Sequence, residues 1–387
     1  MEKRLQDAPK EIWEYDQESY QRLTDHDVHY SEMVPYERKF VHGLIRYMKP
    51  KRILEIGVAE GGGSVVILNA IEDTPETTLT SIDLMETCWN DSTKGVGFAC
   101  LEKYQSNKQW EMHLGKDPSE IIEELAKEGK FDFLILDTAH VHPIESLNFL
   151  SVFPFLTENC TMVLHDIGEY EGNEERYSNF PAVPFACKLL FDTLVGEKRV
   201  LPPSKYPMDR VVSNIGVCQF NIDTKKYIGN ILSMLLFPWG LQPDRVDSIF
   251  ALLERYYDED AVQTLERSYQ YNRFFELGWG QTRNNNPLHY NKKKIIFYGY
   301  GDFFQKLWNT PSFFSEPIVE VWDKADKEST EEGLLLRKPD YNSTEKEEIL
   351  IVLSTAPKDI EVQESIKAEL KGYGFPRVVH YLELDRA

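Results

Sequence analysis

The stretch RILEIGVAEGGGS at residues 52–64 constrains the fold more than any other part of the sequence. It begins with the apolar pattern of a β-strand, passes through an acidic residue at position 55 and enters a cluster of glycines. The next residues, GGSVVILNAI, are typical of a helix. A strand, a glycine turn and a helix in this order predict the first βα unit of a doubly wound sheet. Backbone without Cβ atoms can adopt positive φ and lie close to a ligand.

The same alternation of strands and helices continues along the chain. Further strands are predicted at TLTSID, FDFLILD and TMVLHD, and the helices between and after them at PSEIIEELAKEG and HPIESLNFLSVFPFL. A late strand is expected in VSNIGVCQFNI. Strands that alternate with helices of about 10–15 residues indicate βαβ units and a parallel sheet covered on both faces. The predicted fold class is α/β, with a doubly wound, mainly parallel sheet in residues 1–225.

A second α/β pattern begins near residue 291. Residues 226–290 form a helical connector that ends in GWGQTRNNNP, a segment rich in turn formers. Residues 291–387 then restart with KKIIFYGYGDFFQKLW, which reads as strand, glycine turn and helix. The strands IVEVWD and EILIVLS and the helix DIEVQESIKAELKGYG follow. We therefore expect a second, smaller α/β domain at 291–387.

Composition narrows the classes of ligand. The formal net charge is -21, with 43 basic and 64 acidic residues, which opposes binding to nucleic acid or to an anionic membrane surface. Small molecules are the favoured partners. The five cysteines are scattered and lack a CxxC pair, so neither a disulfide framework nor a structural zinc site is expected. The N-terminal residues lack the apolar core of a signal peptide, and a cytoplasmic location is predicted.

Glu55 indicates what kind of ligand the glycine turn could accept. A carboxylate at the end of the strand is a poor neighbour for a pyrophosphate, but it suits an ammonium group or a ribose hydroxyl. The turn also lacks the strict GxGxxG of dinucleotide-binding sites, because Ala59 stands where the second glycine would be. The alternative is that the glycines only close a tight turn.

Residues 40–166 resemble the class I S-adenosylmethionine-dependent methyltransferases. The resemblance rests on LEIGVAEGGGS, SIDL, HLGKDPSEII, FDFLILDTAH and MVLHD occurring in this order. It is greatest for the branch of macrocin-type sugar O-methyltransferases and cephalosporin hydroxylase-like proteins. It implies S-adenosylmethionine as the cofactor. The residues implied to bind it are Glu55, Gly57 and Gly61 at the methionine part, Asp83 at the ribose and Asp117 at the adenine amino group.

Two neighbouring strands of the predicted sheet end in acidic residues. Asp137 ends FDFLILD, and His165 and Asp166 end TMVLHD. Adjacent strands lie about 4.8 Å apart, so carboxylates at their ends could share a divalent cation, with a third ligand from the same turn. The alternative is that both aspartates cap the helices that follow.

The resemblance assigns roles to these residues. It implies a magnesium site at Asp137, His165 and Asp166, and His140 as the base that takes the proton of the acceptor hydroxyl. The chain departs from the family at His165, where those enzymes usually carry a carboxylate. Because magnesium prefers oxygen ligands, the departure favours a softer divalent metal or none. Nearer the N-terminus, the stretch DHDVHY at 25–30 is predicted to be a surface loop, with a lid over the active site as the alternative.

The predicted function is O-methylation of a hydroxyl on a sugar, nucleotide-sugar or glycan precursor. Two alternatives are a hydroxylase-like enzyme on the same fold and a non-catalytic nucleotide-sugar-binding scaffold. Self-association into a homo-oligomer is left open. The second domain resembles the Rossmann-like domains attached to sugar-modifying enzymes, with Gly299, Gly301 and Asp323 as its nucleotide-binding candidates. Phe304 replaces the third glycine there, which favours a packing role instead.

Overall fold

The chain folds into two compact units, Met1–Gln263 and Thr264–Ala387, each described here by itself. The computed structural model describes residues 3–168, 186–203, 213–237, 239, 243–275, 294–301, 304, 319–324, 329–331, 334–355 and 360–380. The boundary between the units falls inside a helix of the predicted connector. The division at residues 225 and 290 stays a prediction.

The first unit is built on a seven-stranded sheet. Its strands are β1 Arg52–Ile56, β2 Thr78–Asp83, β3 Trp110–Leu114, β4 Phe131–Leu136, β5 Leu156–Leu164, β6 Glu197–Val200 and β7 Gly216–Gln219. They lie in the order β3-β2-β1-β4-β5-β7-β6. All neighbours are parallel except that β7 runs antiparallel to both β5 and β6. The predicted doubly wound, mainly parallel sheet is confirmed.

Eleven α-helices precede the second sheet among the described residues. Those up to residue 152 are α1 Asp25–Val28, α2 Pro35–Met48, α3 Gly62–Ile71, α4 Phe98–Tyr104, α5 Pro118–Leu125 and α6 Ile144–Val152. Those after it are α7 Ala186–Thr193, α8 Ile222–Lys226, α9 Gly229–Met234, α10 Val246–Tyr256 and α11 Glu259–Phe275. Among the described residues, no helix is both long and apolar enough to cross a bilayer.

Local sequence explains how α2 begins and ends. Pro35 stands at its first position, and the Glu37 carboxylate accepts the backbone N–H of Val34 at 2.9 Å. Proline fits the first helical turn because its missing N–H would have no partner there. The helix ends at Lys49, whose φ is +53°. Its apolar face is fully buried in the core of the first unit, through Phe40, Val41, Leu44 and Ile45.

The central strands form a switch point at one edge of the sheet. β1 and β4 are almost completely buried, as expected for parallel strands covered on both faces. Strand order reverses between them, because the chain continues from β1 to β2 on one side and later adds β4 on the other. Ligands of doubly wound sheets bind beyond the carboxyl ends of strands at such a point.

The second unit contains a smaller sheet of the same kind. Its elements are β8 Lys294–Tyr298, β9 Val319–Trp322, β10 Ser329–Glu331, β11 Leu334–Arg337, β12 Ile349–Leu353, α12 Ile360–Gly372 and β13 Val378–His380. The strand order is β10-β11-β9-β8-β12-β13, and only the pair β10 and β11 is antiparallel. Trp322 and Phe375 pack edge to face in its core. The helix predicted after Gly301 lies outside the described residues apart from Phe304, which is buried.

Candidate functional site

The glycines after β1 are required by the backbone that packs against them. Gly57 has φ +90°, and a Cβ there would lie 1.6 Å from the carbonyl oxygen of Asp137. Gly61 has φ +95° at the start of α3, and its Cβ would lie 2.9 Å from the Cα of Gly97. Both positions therefore exclude any side chain. The turn from β1 into α3 lies directly against the end of β4.

The start of α3 is covered by the segment that follows α1. A Cβ on Gly62 would lie 2.3 Å from the backbone nitrogen of Ser31 and 2.5 Å from the carbonyl carbon of Tyr30. Residues 25–28 form α1, with a capping box between Thr24 and Asp27. The stretch predicted as a surface loop is thus partly helical and packs beside the glycine turn. Its role as a lid stays a prediction.

Asp83 fixes the shape of the glycine turn from the end of β2. Its Oδ2 accepts the backbone N–H groups of Val58 at 2.8 Å and Ala59 at 3.2 Å. Its Oδ1 accepts the N–H of Met85 at 2.8 Å. Ala59 takes φ +49°, a left-handed conformation that non-glycine residues rarely adopt. The predicted contact of Asp83 with ribose hydroxyls stays a prediction.

Glu55 is a buried carboxylate on β1 with only 3% of its surface exposed. Its Oε2 accepts hydrogen bonds from the hydroxyls of Ser64 at 2.7 Å and Ser81 at 2.6 Å. Among the described residues, no lysine, arginine or histidine lies within ion-pair distance of it. Burial raises the pKa of Glu55 to about 7, although the two serine hydroxyls oppose this. Such a group is ready to accept a cationic ligand, and its predicted contact with the methionine part stays a prediction.

Asp117 caps the helix that follows β3. Its Oδ1 accepts the backbone N–H of Ser119 at 2.9 Å and the Ser119 hydroxyl at 2.6 Å. Glu120 returns the contact by accepting the N–H of Asp117 at 2.9 Å. Burial raises the pKa of Asp117 above its usual value. The capping box accounts for the side chain, and its predicted contact with adenine stays a prediction.

The ends of β4 and β5 bring Asp137, His140 and Asp166 together. The Nε2 of His140 lies 2.9 Å from Oδ1 of Asp137 and 3.2 Å from Oδ2 of Asp166. One ligand atom from each of the three residues lies within 4.8 Å of the others. Helix capping does not fully account for Asp137 and Asp166, because both carboxylates contact the His140 imidazole. The two carboxylates thus meet at the same edge of the sheet, and their metal-binding role stays a prediction.

His165 lies beneath this cluster and is almost fully buried. Its Nδ1 lies 2.8 Å from Oδ2 of Asp166 and 3.3 Å from Oδ2 of Asp137, and its Nε2 lies 3.4 Å from Oε2 of Glu37. Burial would lower the pKa of His165, but the charges of Asp166 and Asp137 raise it well above its usual value. Burial would raise the pKa of Asp137, but the His165 charge and the hydrogen bond from His140 hold it below its usual value. The two shifts describe one buried ion pair.

The backbone at the cluster is held in an unusual conformation. His140 has φ +57° and Asp166 has φ +56°. Left-handed conformations of non-glycine residues cost about 1–3 kcal/mol and concentrate at functional sites. The Glu145 carboxylate holds one of these turns by accepting the N–H of His140 and the hydroxyl of Thr138, the latter at 3.1 Å. Burial raises the pKa of Glu145.

The donor set could hold a divalent cation. Two carboxylates and an imidazole converge at Asp137, Asp166 and His140, and mixed oxygen and nitrogen ligands suit metals such as iron or zinc better than magnesium. His165 has its own nitrogen against both carboxylates, so the predicted set of Asp137, His165 and Asp166 stays a prediction. The residues present fit a metal, with His140 as the nitrogen donor that converges most closely.

Sequence reasoning missed several residues that support the cluster. The amide of Asn214 donates to Oδ1 of Asp166 at 2.8 Å, and Glu37 and Glu145 contact the two histidines from α2 and α6. Asn214 and Glu37 are 48 and 128 residues away from their partners along the chain. A capping-box pattern was readable at Glu37, but no local pattern could show which distant residue it faces.

The glycine turn of the second unit is organised differently. Gly299 has φ +104°, and the backbone N–H of Tyr300 donates to Oδ2 of Asp323 at 2.6 Å. A Cβ on Gly301 would meet no atom within 4 Å. Among the described residues of this unit, no group of three potential metal ligands converges. The nucleotide-binding role of Gly299, Gly301 and Asp323 stays a prediction.

The strand order, the glycine turn and the acidic edge define the first unit as a class I methyltransferase fold. Residues 54–167 match the family described as a methyltransferase domain. The match covers less than a third of the chain, and over that segment the chain is similar to a methyltransferase domain, which supports the predicted enzyme. The sequence prediction of this class is confirmed, whereas the sugar-modifying branch is not decided by it.

Several solved structures are similar to the chain at low identity. A putative caffeoyl-CoA O-methyltransferase from Staphylococcus aureus shares 16% identity over 48% of this chain and 82% of its own, with a TM-score of 0.36. The O-methyltransferase TomG from Streptomyces achromogenes, solved with SAM, shares 16% identity over 53% and 90%, with a TM-score of 0.39. An O-methyltransferase from Bacillus cereus, solved with SAH, shares 13% identity over 55% and 92%, with a TM-score of 0.38. No curated protein matches the chain.

Proposed function

We propose that the protein transfers a methyl group from S-adenosylmethionine to a hydroxyl of a sugar, nucleotide-sugar or glycan precursor. The observation that carries the proposal is the convergence of Asp137, His140 and Asp166 at the carboxyl edge of the sheet, beside the glycine turn. A sugar hydroxyl is a weak nucleophile until its proton departs. A base and fixed negative charges at this edge are what such an acceptor requires.

Cofactor binding is proposed at the turn between β1 and α3. Glu55 lacks a cationic partner in the described chain and would accept the ammonium group of the methionine part. Asp83 already holds the turn through Oδ2, and its carboxylate lies where ribose hydroxyls are expected. The methyl transfer itself needs in-line placement of the sulfonium and the hydroxyl, which is mainly a matter of positioning.

His140 is proposed to take the proton of the acceptor hydroxyl. Asp137 and Asp166 orient its ring through Nε2. When Nε2 donates to these carboxylates, Nδ1 is the basic atom of the ring. Base catalysis of this kind contributes about 10² to 10⁴ in rate. A positively charged His140 formed after proton transfer is stabilised by the same two carboxylates.

A divalent metal is proposed as an optional further cofactor. Asp137, His140 and Asp166 would hold it, and when bound it would lower the pKa of the acceptor hydroxyl. His140 Nε2 cannot bind a metal and carry a proton at the same time. An activity that requires an added metal would therefore favour ligation by His140 Nε2. An activity without metal would favour hydrogen bonding from this atom to the two aspartates.

Partners and location are proposed from composition and burial. The net charge of -21 disfavours nucleic acid, and the acceptor is proposed to be a small molecule. All five cysteines are buried free thiols, which supports a reducing compartment such as the cytoplasm. Whether copies associate is left to measurement by light scattering.

Calorimetric titration with S-adenosylhomocysteine tests the cofactor site directly. We expect binding by the intact protein and detection of methylated product when sugars and nucleotide-sugars are offered with S-adenosylmethionine. His140→Ala is expected to retain cofactor affinity and to lose turnover. Absence of cofactor binding by the folded protein would refute the proposed function.

A hydroxylase-like activity is the second candidate. It is favoured by the two imidazoles, His140 and His165, that lie against Asp137 and Asp166, because imidazole suits iron. Such a reaction consumes dioxygen and a reductant. Oxygen uptake that depends on added ferrous iron, without release of S-adenosylhomocysteine, would support this candidate over methyl transfer.

A further inference from the structure

A hairpin between β2 and α4 lies beside the glycine turn. It comprises residues 86–96, here called the Trp89 hairpin. The N–H of Val96 donates to the carbonyl of Glu86 at 3.0 Å, and the N–H of Cys88 donates to the carbonyl of Lys94 at 3.0 Å. Thr87 and Gly95 form an antiparallel bridge. The segment is therefore an ordered structure with its own hydrogen bonds.

The hairpin is attached to the glycine turn on one side. The side-chain amide of Asn90 donates to Oε1 of Glu60, and Cys88 Sγ lies 3.9 Å from the carbonyl oxygen of Ala59. Just after the hairpin, the N–H of Gly97 donates to the same carbonyl at 2.8 Å. These contacts hold the tip of the hairpin next to the candidate cofactor site.

Trp89 is the exposed residue at the tip. Its side chain is 70% exposed, whereas tryptophan is highly buried on average. Its indole N–H donates to Oε1 of Glu32 at 3.2 Å. The hydrogen bond orients the ring while leaving its surface in solvent. An oriented, exposed indole is a rigid surface against which a ring can stack.

Glu32 places the indole beside the glycine turn. It follows Ser31, whose backbone nitrogen would lie 2.3 Å from a Cβ on Gly62 at the start of α3. Burial raises the pKa of Glu32, and the negative charge of Asp137 raises it further. In the described part of the chain no lysine, arginine or histidine forms an ion pair with Glu32. Its carboxylate can therefore accept hydrogen bonds from a ligand.

We propose that Trp89 and Glu32 form an acceptor subsite for a pyranose ring. The proposal rests on the proposed methyltransferase function and specifies its acceptor. The C–H bonds on one face of a pyranose carry partial positive charge and complement the negative face of the indole. A ring hydroxyl donates to Glu32, and another hydroxyl of the same ring is the one that is methylated. Carboxylates flanking a single exposed indole suit a polyol better than a flat aromatic acceptor, which would need apolar walls on both sides.

Saturation-transfer NMR on the protein loaded with S-adenosylhomocysteine tests the subsite. The probes are methyl α-D-glucopyranoside, methyl β-D-galactopyranoside and UDP-glucose, each at millimolar concentration. We expect saturation transfer to pyranose ring protons in the wild type and about a ten-fold loss of affinity in Trp89→Ala. Trp89→Phe should retain most of the affinity because it keeps an aromatic face. Glu32→Gln should weaken binding about three-fold.

Tyr227→Ala is the matched control, because Tyr227 is an aromatic residue of the first unit that is 43% exposed. It should bind the pyranosides as the wild type does. No saturation transfer to any probe, or equal transfer in wild type and Trp89→Ala, would overturn the subsite. A change of oligomeric state in Trp89→Ala without any change in pyranose binding would assign Trp89 to a protein interface instead.

Calorimetry with S-adenosylhomocysteine separates this inference from the proposed function. Trp89→Ala is expected to bind S-adenosylhomocysteine within about two-fold of the wild type. If the wild type binds the cofactor product but Trp89→Ala binds pyranosides normally, only the subsite is wrong. If the wild type does not bind the cofactor product, the proposed function itself fails.

Discussion

The two α/β units treat a buried carboxylate on a central strand in opposite ways. Glu320 on β9 contacts Lys294 at 2.7 Å and Arg337 at 2.9 Å, and although burial would raise its pKa, these partners and Trp322 hold it below its usual value. Among the described residues, Glu55 on β1 accepts side-chain hydrogen bonds from two serine hydroxyls only, and burial raises its pKa to about 7. The second unit neutralises its buried acid internally. In the first unit, Glu55 has no cationic partner among the described residues.

The glycine turns of the two units also differ, in how tightly their backbone is packed. In both units an aspartate at the end of the neighbouring strand accepts a hydrogen bond from the backbone of the turn. Asp83 accepts the N–H groups of Val58 and Ala59, and Asp323 accepts the N–H of Tyr300. Of the two, the first turn is the more tightly packed, because a Cβ on Gly57 would lie 1.6 Å from the Asp137 carbonyl oxygen at the end of β4, whereas a Cβ on Gly299 would lie 3.7 Å from Ser354 Oγ. A glycine turn and an aspartate that accepts from it are therefore common to both units. The units differ in the packing around the turn, which in the first unit brings Asp137 next to Gly57.

The largest expected effect is on the packing of the two turns. Gly57→Ala would place a Cβ 1.6 Å from the Asp137 carbonyl oxygen at φ +90°, so β1 and β4 would have to separate. We expect a loss of at least about 4 kcal/mol in the free energy of unfolding, or no soluble protein. Gly301→Ala meets open space and should change stability by less than about 0.5 kcal/mol. Urea denaturation compares them, and similar losses would remove the contrast between the turns.

The next effect concerns the acids at the strand ends. Asp137→Asn should reduce the methyl-transfer rate by about 10² to 10⁴, because it removes a partner that orients His140. Asp323→Asn in the second unit should leave the rate unchanged. The measurement is release of S-adenosylhomocysteine under saturating cofactor. A normal rate in Asp137→Asn would exclude the proposed role of the cluster.

The paired and unpaired carboxylates should respond oppositely to neutralisation. The pKa of Glu55 is raised in the fold, so its contribution to stability is present below pH 4.5 and is lost as pH rises through about 7. Glu55→Gln should therefore gain up to about 3 kcal/mol over the wild type at pH 8 and nothing at pH 4. Glu320→Gln should lose about 1 kcal/mol, since its cations are half exposed.

Cofactor affinity completes this comparison. If Glu55 accepts an ammonium group, Glu55→Gln should bind S-adenosylhomocysteine about ten-fold more weakly while being more stable. Glu320→Gln should bind it normally. A Glu55→Gln protein with unchanged affinity would show that the buried charge has a structural role only.

A last comparison of the two units uses the pH dependence of His42. Its ring is buried and its Nε2 lies 2.9 Å from the Ser19 hydroxyl and 3.1 Å from Oδ1 of Asn69. Burial lowers the pKa of His42 to about 4, so its contribution is present above pH 6.5 and is lost as pH falls through 4. We expect the first unit to lose about 2 kcal/mol over this range, and His42→Gln to lose less. Hydrogen exchange of β1 and of β8 should show the loss in β1 alone.

The sequence was sufficient to predict a doubly wound, mainly parallel sheet and the edge at which its strands end. The apolar runs of β1, β4 and β5 and the glycine turn are local patterns, and the topology rule for parallel sheets places Asp137 and Asp166 side by side. Strand β6 was missed, because EKRV contains three charged residues and one apolar residue and lies at the edge of the sheet.

The partners of the cluster could not be predicted, since they depend on long-range packing. Asn214 reaches Asp166 from the residues just before β7, and Trp89 reaches Glu32 from a hairpin with no helical or strand periodicity of useful length. Both contacts join segments separated by about the length of a whole supersecondary unit. Residue type alone did not distinguish these side chains from ordinary surface or core positions.

The contacts of Asn214 and Glu37 imply that an active fragment must extend beyond the matched segment on both sides. The methyltransferase match covers residues 54–167, yet the carboxylate and the imidazole at its end are each fixed from outside those limits. A fragment trimmed to residues 54–167 would contain every motif but would lack Asn214 and Glu37, which contact Asp166 and His165. During synthesis, the site would be complete only after β7, which follows Asn214, has paired with β5.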